Sequence, residues 1–527
     1  MEAAFIMLRQ TIGELVWEIA ASRPDDTGLE FDGVSYTWRQ IDMVSDALAA
    51  RLYAAGIKSG DYVGIFGQNS DRWYFNFLAL MKLDARAVLL NTCFKFDDII
   101  YAIKKSDISY LLYSDSYDDN SFEEIAAELI KTGIMDKSRL LPMELDCADP
   151  GFLNTSVYAD NLPKERDSDE IAAVLFTSGS VSKPKGVMLS HYSLVNNAKA
   201  QADILGWQFN DSMLVTVPLF HCFGLTTCIL GSLLSGLKII LSPRISSKQI
   251  MRLISEKKPT IFNGVPSMYL AMLKKYDPEA GYDLSSVRSG VIAGSAVSKK
   301  DYERIVKLFP KIDLRPAYGM TEMSPCVSIS RKEDPECLKM ANAARPIDGV
   351  DVRIENHIDL TETGSAGKSG EILVKGYGLM KAYINSPEET RKSFNDDGYF
   401  KTGDYGHMDK DGYLFVTGRL KDLIIRGGEN ISPAEVEEAI KEVFKAGEVT
   451  VVGVPSEVLQ EEVVALVEGS YSEEAEKNIL NGIKDKLAYY KIPKCIYFLD
   501  TFPKLASGKT DRKKLRAYAA KKFKENL

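Results

Sequence analysis

The chain has 527 residues, 45% of them hydrophobic and 26% charged, with a formal net charge of −9 and an isoelectric point near 5.4. Such a balance suits a soluble globular protein and excludes a disordered or fibrous chain, and it argues against nucleic-acid binding through an overall positive field. At about 150 residues per domain, the length suggests about three or four units.

The seven cysteines are odd in number and contain no CxxC pair, so reduced thiols in a cytoplasmic compartment are expected. The four histidines, His191, His221, His357 and His407, are too scattered for a zinc site. The start, MEAAFIMLRQTIGEL, lacks the basic and long apolar regions of a secretory signal. Segment 229–241 is apolar, but Gly231, Gly236 and Lys238 interrupt it, and it falls short of the roughly 18–20 residues of a membrane span. A buried helix followed by a strand is the expectation there, and no transmembrane segment.

In chain order, 45–55 reads as an amphipathic helix, 62–66 as a buried strand, 73–81 as a helix and 87–90 as a strand. This alternation predicts an α/β architecture with largely parallel sheets. A polar, proline-interrupted connection over 160–170 leads into an apolar strand at 171–176, and 187–189 is strand-like again. Further on, Ser432-Pro433-Ala434-Glu435 has a capping-box layout, with Ile431 and Val436 spaced as a hydrophobic staple. Strands at 449–454 and 463–467 and a helix near 472–487 complete a separate α+β module, with a boundary near Gly418–Lys421.

The segment Thr177-Ser178-Gly179-Ser180-Val181-Ser182-Lys183-Pro184-Lys185-Gly186 places four hydroxyls, two glycines and two lysines between two strand-like runs. Hydroxyls and exposed N–H groups satisfy phosphate oxygens, glycine admits close backbone approach, and lysine adds positive charge. It is not a Walker loop, which runs into a helix. A flexible surface turn is the plain alternative for this loop alone.

TSGSVSKPKG resembles the phosphate-loop signature TSGTTGxPKG of the adenylate-forming superfamily, which includes acyl- and aryl-CoA synthetases, peptide-synthetase adenylation domains and beetle luciferases. Ser180, Val181 and Ser182 depart from it: Ser180 keeps a hydroxyl, Val181 loses one, and Ser182 replaces a glycine. Other motifs follow in the family's order over nearly the whole chain. Ala317-Tyr318-Gly319-Met320-Thr321-Glu322 is similar to its YGxTE signature, Thr402-Gly403-Asp404 to its TGD, Gly418-Arg419-Leu420-Lys421-Asp422 to its GRxKD, and Pro503–Arg512 to its PKTxxGKxxR ending.

The resemblance implies a fold and a set of roles. The fold is α/β: a large N-terminal domain (1–418) with mixed sheets and flanking helices, joined by a hinge to a small, mobile α+β C-terminal domain (419–527). Thr177, Ser178, Gly179, Ser180 and Lys185 would hold the phosphates of ATP. Tyr318 would pack on adenine, Thr321 would contact the α-phosphate, Glu322 would hold Mg²⁺, Asp404 would bind the ribose, and Arg419 would contact the ribose or phosphate region. Lys509 would be the mobile catalytic lysine, Lys421 the hinge, and Gly427-Gly428 a loop facing coenzyme A. His221 in PLFHCFG, Gly294-Ser295 and Met320 would belong to the acyl pocket, beside the Gly264–Met268 segment. No aspartate lies between Pro218 and Leu225 to hold an ammonium group, which disfavours α-amino acids.

The function expected is therefore an ATP-dependent acid–thiol ligase, forming an acyl-adenylate and then a coenzyme A thioester, with a medium-chain fatty or aryl acid favoured. Two alternatives stand beside it: a stand-alone ligase that loads an acyl carrier protein, and a catalytically silent acyl- or nucleotide-binding protein.

Overall fold

A computed structural model describes residues 5–114, 116–117, 120–143, 167–177, 184–243, 245–355, 369–426, 429–444, 447–456, 459–484, 486–504 and 510–525. The chain forms two compact units, Met1–Val352 with Val374–Phe400, and Arg353–Leu373 with Lys401–Leu527. Length alone suggested three or four. The first unit stays whole because its two large sheets are linked by strands and helices exchanged along the chain.

One of those sheets has seven strands, in the order Ala382–Tyr383, Lys185–Ser190, Ile171–Thr177, Arg86–Leu89, Tyr62–Phe66, Tyr110–Tyr113, Leu140–Pro142. It is parallel from Ile171–Thr177 onward and antiparallel at the edge formed by the first three strands. Helices Asp71–Lys82, Phe96–Ser106 and Phe122–Lys131 connect the parallel strands, as such pairing requires. Asp71–Lys82 is buried nearly all round, and rings such as Trp73, Phe75 and Phe77 are fully enclosed, each contributing roughly 1.5–3 kcal/mol. Lys82 ends it inside the protein, neutralised by Asp42 and by Asp46 at 2.7 Å.

The other sheet has eight strands, in the order Cys326–Ile329, Asp313–Gly319, Ser289–Ile292, Ile261–Phe262, Ser212–Val215, Lys238–Leu241, Thr27–Phe31, Val34–Thr37. Its interior is parallel and both edges are antiparallel. The apolar stretch 229–241 completes a π-helix, Phe223–Leu230, then forms Gly231–Ser235 and the strand Lys238–Leu241. Among the described residues no helix is long and apolar enough to cross a membrane.

The second unit holds a five-stranded sheet: Glu429–Ile431, Ile424–Arg426, Gln460–Glu468 and Val449–Ser456, with Cys495–Leu499 parallel to Gln460–Glu468. Alternate residues face opposite sides. Val451, Val463 and Ala465 meet helices Pro433–Val443 and Glu473–Ile483, while Val452, Val464 and Leu466 meet Arg512–Glu525. Most of a four-stranded sheet, Val350–Glu355, Gly370–Gly376, Phe400–Met408 and Leu414–Arg419, belongs to the same unit.

Most expected elements are found within a few residues. Helix Trp38–Ala54 begins earlier than expected because Thr37 and Gln40 form a capping box ahead of it. The capping box expected at Ser432 and Glu435 is absent. Helix Pro433–Val443 does start there, and Ile431 and Val436 share one apolar core, but the Ser432 hydroxyl donates to the carbonyl of Thr417 and Glu435 pairs with Lys491. That bond to Thr417 helps explain why compactness groups 401–418 with the C-terminal unit.

Candidate functional site

In the first unit the phosphate-loop segment is a hairpin. Thr177 and Lys185 face each other across antiparallel strands, so the β-loop-β expectation holds at the loop's two feet. Ser178, Gly179, Ser180, Val181 and Ser182 lie outside the described residues. Thr177 Oγ1 points at the Lys185 carbonyl, 3.5 Å away. The loop's exit is held by Tyr101, whose hydroxyl donates to the Pro184 carbonyl at 2.9 Å.

Tyr383 is the residue that links this hairpin to the YGMTE segment. Its short strand pairs with Lys185–Ser190, Tyr383 opposite Val187. Residues two apart on a strand share a face, so Tyr383 is the diagonal neighbour of Lys185. Lys185 Nζ lies 4.6 Å from the Tyr383 ring centroid and 3.7 Å from Glu389 Oε1. The Tyr383 hydroxyl donates to Glu322 Oε1 at 2.8 Å, and Met380 N donates to the Glu322 carbonyl at 2.8 Å. Burial, followed by the charge of Glu322, raises the Tyr383 pKa, which keeps the phenol protonated and a donor at neutral pH.

Glu322 sits in the turn Thr321–Met323, with Met320 extended ahead of it and Tyr318 at the end of strand Asp313–Gly319. Gly319 is obligatory, since a Cβ there would lie 1.9 Å from the Pro325 carbonyl oxygen. Behind the turn is Asn197, fully buried. Its amide donates to the carbonyls of Met323 (3.0 Å) and Cys326 (2.9 Å) and accepts from Cys326 N and Gln201 Nε2. Thr227 of the π-helix donates in turn to Gln201 at 2.9 Å.

His221 is exposed and begins the turn into that π-helix, so it is not a buried structural histidine. Asn69 fixes the segment before it, accepting from Leu219 N and donating to the Val217 and Ser242 carbonyls. Gly224 is needed where a Cβ would meet the Pro218 oxygen at 2.2 Å. Burial pushes the neighbouring Cys222 thiol up to about 12, the bond to Thr226 opposes that shift, and the Glu322 charge adds to it, so Glu322 and the His221 turn share one electrostatic neighbourhood. The two predicted pocket segments also adjoin: Gly264 bridges Ile292, and Ala293 N donates to the Gly264 carbonyl. Gly294 (φ +91°) and Ser295 follow, exposed, at the same carboxyl-terminal sheet edge as Tyr318, where open α/β sheets bind ligands.

In the second unit, Asp404 and Arg419 are cross-strand partners, with Arg419 Nε 2.8 Å from Asp404 Oδ1. Thr402 Oγ1 accepts from Asp404 N, and Glu371 holds Gly403 N, which fixes the Thr-Gly-Asp backbone. Lys421 is exposed in the turn Leu420–Asp422 that follows. Gly427, Gly428 and Lys509 lie outside the described residues.

Tyr383, Glu389, Asn197 and Asn69 carried no signal in the sequence reading, because each acts on a segment far away along the chain. Among the described residues no three His, Cys, Asp or Glu side chains cluster as a metal cage. Glu322, a single carboxylate with one oxygen held by Tyr383, suits Mg²⁺, which typically takes one or two carboxylates and fills its shell with water and substrate phosphate.

The sheet edge at Tyr318 and Gly294, the hairpin feet Thr177 and Lys185 and the oriented Glu322 carboxylate are the arrangement an α/β enzyme could use to hold a phosphorylated ligand. Comparison with known proteins makes this specific. Residues 16–384 match the model "AMP-binding enzyme" and residues 435–509 match "AMP-binding enzyme C-terminal domain". The chain belongs to the AMP-binding enzyme family. It is 32% identical to "Putative acyl-CoA synthetase YngI" of Bacillus subtilis (strain 168), over 98% of both chains. It is 31% identical to the mitochondrial medium-chain acyl-CoA ligase ACSF2 of Bos taurus, covering 96% of this chain and 87% of that one. Among solved structures, ATP-bound MatB from Rhodopseudomonas palustris superposes with a TM-score of 0.81 at 25% identity, covering 97% of this chain and 99% of that one.

Proposed function

We propose that this protein is an AMP-forming acid–thiol ligase that makes acyl-coenzyme A from a medium-chain fatty or aryl acid. The observation that carries the reading is the meeting of Lys185 and Glu322 on Tyr383, a cation over the ring and a carboxylate on the hydroxyl of one side chain. In the first half-reaction a carboxylate oxygen bonds to the α-phosphorus of ATP and the bond to pyrophosphate breaks. In the second, the thiol sulfur of coenzyme A bonds to the acyl carbon, AMP leaves, and the thiol proton goes to solvent.

Both first-step reactants are anions, so catalysis is chiefly placement and charge neutralisation. Thr177, Ser178, Gly179, Ser180 and Lys185 receive the phosphates, Tyr318 stacks on adenine, Thr321 meets the α-phosphate, and Asp404, oriented by Arg419, accepts from the ribose hydroxyls. Mg²⁺, when bound at Glu322, neutralises phosphate charge. Lys509 bridges the acyl carboxylate and α-phosphate in adenylation. The domain of 419–527 then turns about Lys421 to bring Gly427-Gly428 toward the thiol. His221, Gly294, Ser295 and Met320 line the acyl pocket. A cytoplasmic setting fits the free thiols of the described cysteines.

The medium-chain preference is supported by the likeness to ACSF2, and coenzyme A as acceptor by the same relatives. A carrier-protein acceptor would need a basic docking face. Arg512 and Arg516 of the basic tail pair with Glu437 and Glu461, which offsets part of the charge such a face would offer. The test is AMP release with octanoate or benzoate in the presence of coenzyme A or of an acyl carrier protein. Release with coenzyme A is expected, and release with the carrier protein alone would overturn the assignment of acceptor.

A further inference from the structure

Glu322 is gripped twice by one short segment: its carbonyl accepts from Met380 N, and its carboxylate accepts from the Tyr383 hydroxyl. Tyr383 is only 5% exposed, and its position is set by backbone pairing on both sides, Lys381 N to the Met188 carbonyl and Ile384 N to the Gly186 carbonyl. Its own N–H donates to Thr390 Oγ1 at 3.0 Å. The ring therefore has little freedom, and both of its faculties are in use: the hydroxyl on Glu322 Oε1 and the π-face under Lys185.

A carboxylate can bind a cation through either oxygen, over a range of side-chain rotations. A hydrogen bond to one oxygen removes that freedom and leaves the other oxygen to face the ligand. Partners that orient a metal ligand in this way are worth about 10–100-fold in metal affinity. The Lys185 ammonium, meanwhile, lies over the same ring and 3.7 Å from Glu389 Oε1, so both bias where it rests before any nucleotide arrives.

Resting on the reading of Glu322 as the Mg²⁺ ligand, we propose that Tyr383 is a positioning residue for the triphosphate–cation site, its hydroxyl aiming the Glu322 carboxylate and its ring placing Lys185. The two roles separate chemically. Tyr383→Phe keeps the ring and loses the hydroxyl. Tyr383→Leu loses both.

The experiment measures two affinities on the full chain, with α,β-methylene-ATP as a nucleotide that cannot be adenylated. Mn²⁺ binding to the protein–nucleotide complex is followed by the EPR signal of free Mn²⁺, against the nucleotide alone. Nucleotide binding without divalent cation is followed by calorimetry. Tyr383→Phe is expected to weaken Mn²⁺ binding about 10- to 100-fold and leave cation-free nucleotide binding unchanged. Tyr383→Leu is expected to weaken both. Glu322→Gln serves as the reference for loss of the ligand itself. If Glu322→Gln loses Mn²⁺ affinity and Tyr383→Phe does not, the positioning role is overturned and the ligase reading stands. If Tyr383→Phe also loses cation-free nucleotide binding, its role is general packing and the proposal falls. If Glu322→Gln binds Mn²⁺ as the unmodified protein does, Glu322 is not the ligand, and the reading beneath the proposal falls with it.

Discussion

Asn197 and Cys326 exchange two hydrogen bonds, Cys326 N to Asn197 Oδ1 at 3.1 Å and Asn197 Nδ2 to the Cys326 carbonyl at 2.9 Å, so that a side-chain amide takes the place of a β-strand partner. With Met323 O and Gln201 Nε2 added, both lone pairs and both N–H groups of the amide are satisfied. The turn that carries Thr321 and Glu322 is thus anchored from behind by a residue on helix His191–Leu205.

Asn197→Ala takes this partner from two carbonyls, the Cys326 N–H and Gln201 Nε2, which keeps only the Asn197 carbonyl, and each orphaned group costs about 1–3 kcal/mol. The expected result is a lower urea midpoint together with a raised KM for ATP, since the turn loosens. An unchanged midpoint would show that water replaces the amide at no cost.

A second prediction concerns Asp313, which lies between Arg315 (2.6 Å) and Lys339 (2.9 Å), two cations with side chains only 4% and 6% exposed. Burial acts to raise the Asp313 pKa, but the bonds from Arg315 and Lys339 outweigh it, and the net shift is downward. A depressed folded-state pKa contributes stability above the unfolded value of about 3.9 and loses it as pH falls through the folded value. Asp313→Asn should therefore cost about 3–5 kcal/mol near neutrality, because it strands buried cations. Urea midpoints measured from pH 7 down to pH 3 should show the gap between variant and parent narrowing at the acid end. A gap independent of pH would contradict the charge-based account.

The third prediction divides the two half-reactions. Lys509→Ala should abolish adenylation, while thioester formation from supplied acyl-adenylate survives. Rapid-quench measurement of each half separates them. Equal loss of both would contradict the division of labour between Lys509 and the loop at Gly427-Gly428.

Much of this was legible in the sequence where local pattern dictates structure. The strand Tyr62–Phe66 was expected at its observed ends, and the strands on either side of the 177–186 loop were expected, though they reach Thr177 and Lys185, one and two residues further into it. Motif residues such as Glu322 and Asp404 could be named because short strings carry them. What stayed hidden depends on distant pairing. Tyr383 matters only because its strand lies beside Lys185–Ser190, a register that no local pattern reveals. Ser432 illustrates the converse: its capping signature was correct in form, yet the carbonyl of Thr417, on strand Leu414–Arg419, takes its hydroxyl. The length-based domain count failed because two large sheets build one compact unit.

The central claim is that a carboxylic acid is activated on AMP before any thiol takes part. Acid-dependent exchange of labelled pyrophosphate into ATP, run without thiol over fatty, aryl and α-amino acids, tests it most directly. The account predicts exchange that requires an acid and is strongest with medium-chain fatty or aryl acids. No exchange with any acid, or exchange with α-amino acids alone, would contradict it.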